Sequence, residues 1–237
     1  MSSTKRHSSN SAEIFQPRLR RSRWNSTDIS LIAVFAALIA ALAILPGIPV
    51  GALGVPITLQ TLGVMLAGAV LGPGRGSAAA GLYLAAGLAG LPVFSGFRSG
   101  FGVLAGPSAG YLIAFPIGAL VAGLLAVVVL RSARRFKYAW MFLACMAGTV
   151  LVIHPLGILG MIINGGLAPM DALLADIIYL PGDTVKNLLA AAIALSVHRA
   201  FPRLLARRNT QPGNVPADNT VSESTAPADA EGPAPTA

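Results

Sequence analysis

Tyr179-Leu180-Pro181-Gly182-Asp183-Thr184-Val185-Lys186-Asn187 sits inside an apolar stretch spanning residues 171–199. The stretch is long enough to cross a bilayer, which takes ~20 residues as a helix. Asp183 and Lys186 stand three positions apart and so share one helical face. An ionisable residue in lipid is costly, and it is retained to pair, to line a polar cavity or to bind a ligand. The nine residues therefore imply a helical membrane protein with a polar site inside it.

Outward from this segment, five further apolar stretches occupy residues 29–45, 56–72, 76–90, 107–130 and 139–163. The expected fold class is all-α: a polytopic membrane protein with six transmembrane helices in one bundle. Composition agrees. Of the 237 residues, 54% are hydrophobic and 11% charged, against about 25% charged in soluble domains. The mean hydropathy is +0.70. The expected organisation is a basic disordered cytoplasmic leader over 1–28, a transmembrane substrate-binding domain over 29–200 and a disordered cytoplasmic tail over 201–237. The leader carries Lys5, Arg6, Arg18, Arg20, Arg21 and Arg23 against Glu13, while the tail is rich in Pro, Ala, Thr and Ser. The leader does not read as a signal peptide.

The net charge of +8 comes from basic clusters beside the apolar stretches, so it reads as membrane topology and not as nucleic-acid binding. The leader, Arg75, the cluster Arg131, Arg134, Arg135 and Lys137, and the end with Arg199, Arg203, Arg207 and Arg208 fall on one side. The opposite loops hold only Arg98. Both termini are expected in the cytoplasm, in a multi-pass protein of the cytoplasmic membrane.

One cysteine, Cys145, excludes a disulfide framework. No P-loop, Ser-His-Asp or H-E-x-x-H pattern is present. His154 reads as a packed helix residue, because no partner stands at metal-ligand spacing. No cofactor is expected. Asp176 and Asp183 raise an intramembrane enzyme as an alternative. On a regular helix they stand about 10 Å apart, too far to share a proton.

Candidate site residues lie on one stripe and two loops. Asp176, Tyr179, Asp183 and Lys186 follow one face of the last stretch, with Pro181-Gly182 read as an interruption that frees carbonyls. Thr58, Gln60 and Thr61 either line a pocket or satisfy freed backbone groups. The 90–111 loop mixes glycines with Phe94, Phe97, Phe101 and Tyr111. Its aromatics supply either pocket walls or an interfacial belt. Arg98 is either a solvated arginine or the group that captures an anion from outside. Ala33, Ala37 and Ala41 recur every four residues and form a flat stripe, suited to internal packing or to docking another helix.

The runs VPITLQTLGVMLAGAVLGP (55–73), GLPVFSG (90–96), GVLAGPSAGYLIAF (102–115) and YLPGDTVK (179–186) resemble the BioY family. These are the biotin-specific substrate-binding subunits, or S components, of energy-coupling factor (ECF) transporters. The resemblance covers residues 29–199. Where many relatives read G-P-T-G-G-Y, this chain reads Gly106-Pro107-Ser108-Ala109-Gly110-Tyr111. The resemblance implies a six-helix bundle that captures biotin with high affinity for uptake. Asp183 and Lys186 match its biotin-contacting pair, and Arg98 and Ser95 are candidates for its further polar contacts. Gln60, Phe94, Phe97, Tyr111 and Tyr179 complete the expected pocket. Implied partners are a transmembrane coupling protein, docked on the Ala33, Ala37 and Ala41 stripe, and a pair of ATP-binding-cassette ATPases. An S component for another vitamin is the alternative within the class.

Overall fold

A computed structural model describes residues 24–49, 55–132, 135–202 and 204–205. Eight α-helices lie among them. Helix α1 (Ser26–Ile44) opens on a reciprocal cap. The Asp28 N–H donates to the Asn25 side chain at 2.9 Å, and the Asn25 N–H donates to the Asp28 carboxylate at 3.2 Å. The helix thus begins inside the segment expected as leader, because Asn25 and Asp28 supply the start signal. Most of that leader and most of the expected tail, residues 1–23 and 206–237, lie outside the described residues.

After α1 the chain forms a short antiparallel hairpin, β1 (Ile48–Pro49) and β2 (Pro56–Ile57), with Ile48 opposite Ile57. Helix α2 (Gln60–Leu71) starts only after it. The expected helix over 56–72 is therefore shortened, and the expected all-α fold gains a two-stranded element. The reason is proline: Pro49 and Pro56 sit opposite each other, a placement that suits edge strands.

Gly72, with φ of +81°, joins α2 directly to α3 (Pro73–Leu88). That left-handed conformation suits glycine, and Pro73 then takes the first helical turn. Two 3₁₀ turns, Ser95–Phe97 and Phe101–Ala105, shape the next loop. Helix α4 runs over Ala109–Ser132. Helix α5 (Lys137–Gly148) passes through a π-helical turn, Thr149–Ile153, into α6 (His154–Ile163).

The last stretch is α7 (Pro169–Ile177) and α8 (Leu180–Ala200). The break falls at Ile178–Tyr179, where the Tyr179 N–H donates to the Asp176 carbonyl. Pro181-Gly182 does not interrupt the helix as expected. Pro181 lies in the first turn of α8, where its missing N–H costs nothing.

Among the described residues, three helical runs are long and apolar enough to cross a membrane: α1, α4 and the continuous run Lys137–Ile163. Helix α2 is central. It packs on α1, α3, α4 and α8, and every residue in it except Thr61 is buried. Its contact with α4 is backbone to backbone: a methyl group on Gly68 would overlap the Ala119 carbonyl. At the same end of the bundle Arg75 makes three contacts. It donates to the Leu71 carbonyl at 3.1 Å, to Asp28 of α1 at 3.1 Å, and to the Leu204 carbonyl beyond α8 at 2.6 Å.

Candidate ligand site

At the opposite end the helices separate around a cavity. Its walls come from the hairpin, the start of α2, the 90–108 loop, α4 and the α7–α8 turn. Its space, including the part open to solvent, is about 610 Å³.

Asp183 and Lys186 form its charged floor. Both are buried, and the Lys186 ammonium lies 2.7 Å from Asp183 Oδ1. Thr61, the one residue of α2 not fully buried, donates to the same oxygen at 2.8 Å. Lys186 also donates to the Thr61 hydroxyl at 3.1 Å. Asp183 Oδ1 therefore has both lone pairs occupied, while Oδ2 faces only His154, with its ring Nε2 at 3.4 Å.

His154, read from the sequence as a packed helix residue, is packed, and it carries polar contacts that the sequence did not announce. It is buried at the start of α6. Its Nδ1 lies 2.8 Å from Asp176 Oδ1 and 2.7 Å from Oδ2. An ionised carboxylate only accepts, so Nδ1 carries the proton and donates. Asp176 also accepts from the Tyr111 hydroxyl at 2.6 Å. The two aspartates, read from the sequence as too far apart to share a proton, both approach one side chain from another helix. No signal in the sequence marked this beyond the stripe that placed Asp176 on the same face as Asp183.

Tyr111 and Tyr179 meet edge to face at 6.0 Å between ring centroids. The Tyr179 hydroxyl donates to the Val55 carbonyl at 2.9 Å and so ties the α7–α8 turn to the hairpin. Gln60 donates to the Tyr83 hydroxyl at 2.5 Å, and its Oε1 accepts from Thr58 at 2.9 Å. Phe94 is buried edge-on against Tyr83 at 5.6 Å. Ser95 and Arg98 line the mouth. Arg98 donates from Nε to the Ser95 carbonyl at 3.2 Å, and its Nη2 lies 3.5 Å from the Ser108 hydroxyl.

The structure thus brings Gln60, Phe94, Ser95, Arg98, Tyr111, Tyr179, Asp183 and Lys186 around one cavity. Phe97 departs from expectation. It is 63% exposed, with φ of +57°, and stays outside the lining. The 3₁₀ turn that points Phe94 inward carries Phe97 out. Thr58, Thr61, Leu112 and Phe115 also line the cavity. On α1, Ala33, Ala37 and Ala41 are exposed, whereas Ile32, Ala36, Ile39 and Ala43 face the bundle. The stripe is not internal packing.

Apolar helices around a buried acid–lysine pair, with aromatic walls and an arginine at the mouth, define a multi-pass membrane protein with a small-molecule pocket. The BioY family model matches residues 16–203, and the chain belongs to the BioY family. It is 38% identical over 185 residues to the biotin transporter BioY of Rhizobium etli, covering 77% of this chain and 99% of that one. It is 42% identical over 193 residues to the biotin transporter BioY of Rhodobacter capsulatus, covering 76% and 98%. Among solved structures it resembles the S-component for biotin from an ECF-type ABC transporter. That match has a TM-score of 0.68 at 30% identity and covers 73% of this chain and 91% of the other. Membership makes the chain a transport component and not an enzyme, and the family implies no cofactor.

Proposed function

We propose that the chain captures biotin from outside the cell and delivers it across the cytoplasmic membrane as the S component of an ECF-type transporter. The observation that carries this reading is the unequal use of the Asp183 carboxylate. Oδ1 is saturated by Lys186 and Thr61, while Oδ2 has only the His154 ring nitrogen near it, at 3.4 Å, and keeps acceptor capacity. That open acceptor suits a ureido N–H. A ligand carboxylate finds a cation in Arg98 at the mouth or in Lys186 at the floor, and a bicyclic body finds aromatic walls in Phe94, Tyr111 and Tyr179.

In this reading the six apolar stretches make six passes, with α2, α3 and the α7–α8 pair completing those made by the longer helices. Both termini face the cytoplasm and the cavity faces outward, following the basic residues. Energy comes from a pair of ATP-binding-cassette ATPases acting through a membrane coupling protein docked on Ala33, Ala37 and Ala41. The exposure of that stripe supports the assignment.

The test is calorimetry on the detergent-purified chain with biotin, thiamine and riboflavin. Tight binding of biotin alone is expected. Preference for either of the other vitamins would move the chain to a different substrate within the same class.

A further inference from the structure

His154 reaches Asp183 because of a local change of helix. The His154 N–H donates to the Thr149 carbonyl, five residues back, which closes a π-helical turn. In an α-helix two residues five apart point about 140° away from each other. A π turn brings them onto nearly one face. Both then meet α8. Thr149 lies 3.4 Å and 3.1 Å from the Asn187 side chain, and His154 lies 3.4 Å from Asp183. Asp183 and Asn187 are four apart and share one face of α8. The extra residue in the turn matches a spacing of five on one helix to a spacing of four on the other.

Among the described residues, His154 Nε2 is buried without a hydrogen-bond partner. Its neighbour Oδ2 of Asp183 is near but not aligned. A ring with a carboxylate at each nitrogen satisfies both only with an N–H on each. With both present, His154 and Lys186 balance Asp176 and Asp183, and the buried cluster is neutral overall.

We propose that His154, turned inward by the π-helical turn and backed by Asp176, is a positioning residue for ligand binding. It closes its Nε2–H on Oδ2 of Asp183 and so aims the remaining lone pair at the ligand N–H. The proposal rests on the biotin reading above. Biotin does not touch His154; the ring acts through Asp183.

The experiment is biotin calorimetry on the full chain carrying His154→Gln, His154→Asn or His154→Ala, with melting temperature measured without ligand. A glutamine amide reaches where Nε2 sits and still donates to Asp183, whereas an asparagine amide reaches only the Nδ1 side. His154→Gln should stay within about threefold of the native affinity, and the other two should lose at least about tenfold. Equal affinity in all three variants and the native chain would overturn the proposal. So would equal losses in all three, which would mean that the ring acts as packing. If the substitutions unfold the chain, ¹⁵N-histidine spectra of the native protein decide. The chain has three histidines, so variants of His7 and His198 assign the third. The His154 Nε2 signal should move when biotin is added, and a fixed signal would overturn the proposal. A native chain that takes no biotin at all would instead overturn the proposed function, and this inference with it.

Discussion

At the Arg75 end of the bundle α2 and α4 touch through their backbones; around Asp183 polar side chains fill the space between α2, α6 and α8, although α4 and α6 also meet backbone to backbone there, at Gly110 and Leu156. Gly68 lies so close to Ala119 that no methyl group fits. At the other end Thr61, Lys186 and Asp183 form one hydrogen-bonded group and His154, Asp176 and Tyr111 a second, with His154 Nε2 3.4 Å from Asp183 between them. Close packing leaves no space for a ligand. A polar cluster leaves space, but its charges must be mutually satisfied to survive burial. The tight end therefore sets the frame, and the open end keeps acceptors and donors available within it.

The comparison breaks most readily at Asp183. Asp183→Asn strips the counter-charge from a buried lysine and places an amide N–H against the ligand's N–H. A hydrogen bond to a charged group contributes about 1.5–3 kcal/mol, and a donor left unsatisfied costs about 1–3 kcal/mol more, so biotin affinity should fall by about a hundredfold. Calorimetry on folded protein checks this, and an unchanged affinity would remove Asp183 from the site.

At the tight end, Gly68→Val should destabilise the fold by about 1–3 kcal/mol through overpacking. It should lower the melting temperature while the folded fraction still binds biotin. A folded variant with a native melt and no binding would show that the two ends do not act separately.

Arg98 tests the mouth. It is exposed, so its ion pairs are worth at most about 1 kcal/mol. Arg98→Ala should weaken biotin by about fivefold and weaken a biotin amide less. Equal losses for acid and amide would assign Arg98 to holding the loop through Ser95 and Ser108.

The smallest effect on affinity is expected from Ala37→Trp combined with Ala41→Trp. These positions face away from the bundle. Biotin affinity should change by less than about twofold, while co-purification with the coupling protein and uptake should be lost, because bulk on a small-residue stripe keeps a partner helix away. Retained uptake would end the docking assignment.

Much of this was legible in the residues. The apolar stretches fell on helices because hydropathy is a direct readout of burial in lipid. Asp183 and Lys186 stood out because charges are costly there. The hairpin was half visible: prolines at 46, 49 and 56 excluded a helix before residue 56, but not the strand pairing that delays α2 to Gln60. Pro181-Gly182 reads as a helix break because proline interrupts a helix interior, but a first-turn proline is compatible with a helix. Phe97 was grouped with Phe94 by type, yet a 3₁₀ turn sends neighbouring rings in opposite directions. His154 was out of reach. Its contacts depend on a π-helical turn that no apolar periodicity announces, and on a carboxylate contributed by a segment more than twenty positions away.

The burial of α2 also has a consequence for how the protein is made. The helix has 12 residues, hence a length of about 18 Å, well short of the ~30 Å hydrocarbon layer. Other helices surround it, so it has no need to match the lipid. A chain still being synthesised, with α4 and α8 not yet emerged, leaves this short segment and its glycines without their neighbours. Hydropathy alone holds it weakly in the bilayer at that stage. Its place is fixed only when the later helices arrive, so a chain ending before Ala109 would leave α2 without the α4 and α8 faces that bury it.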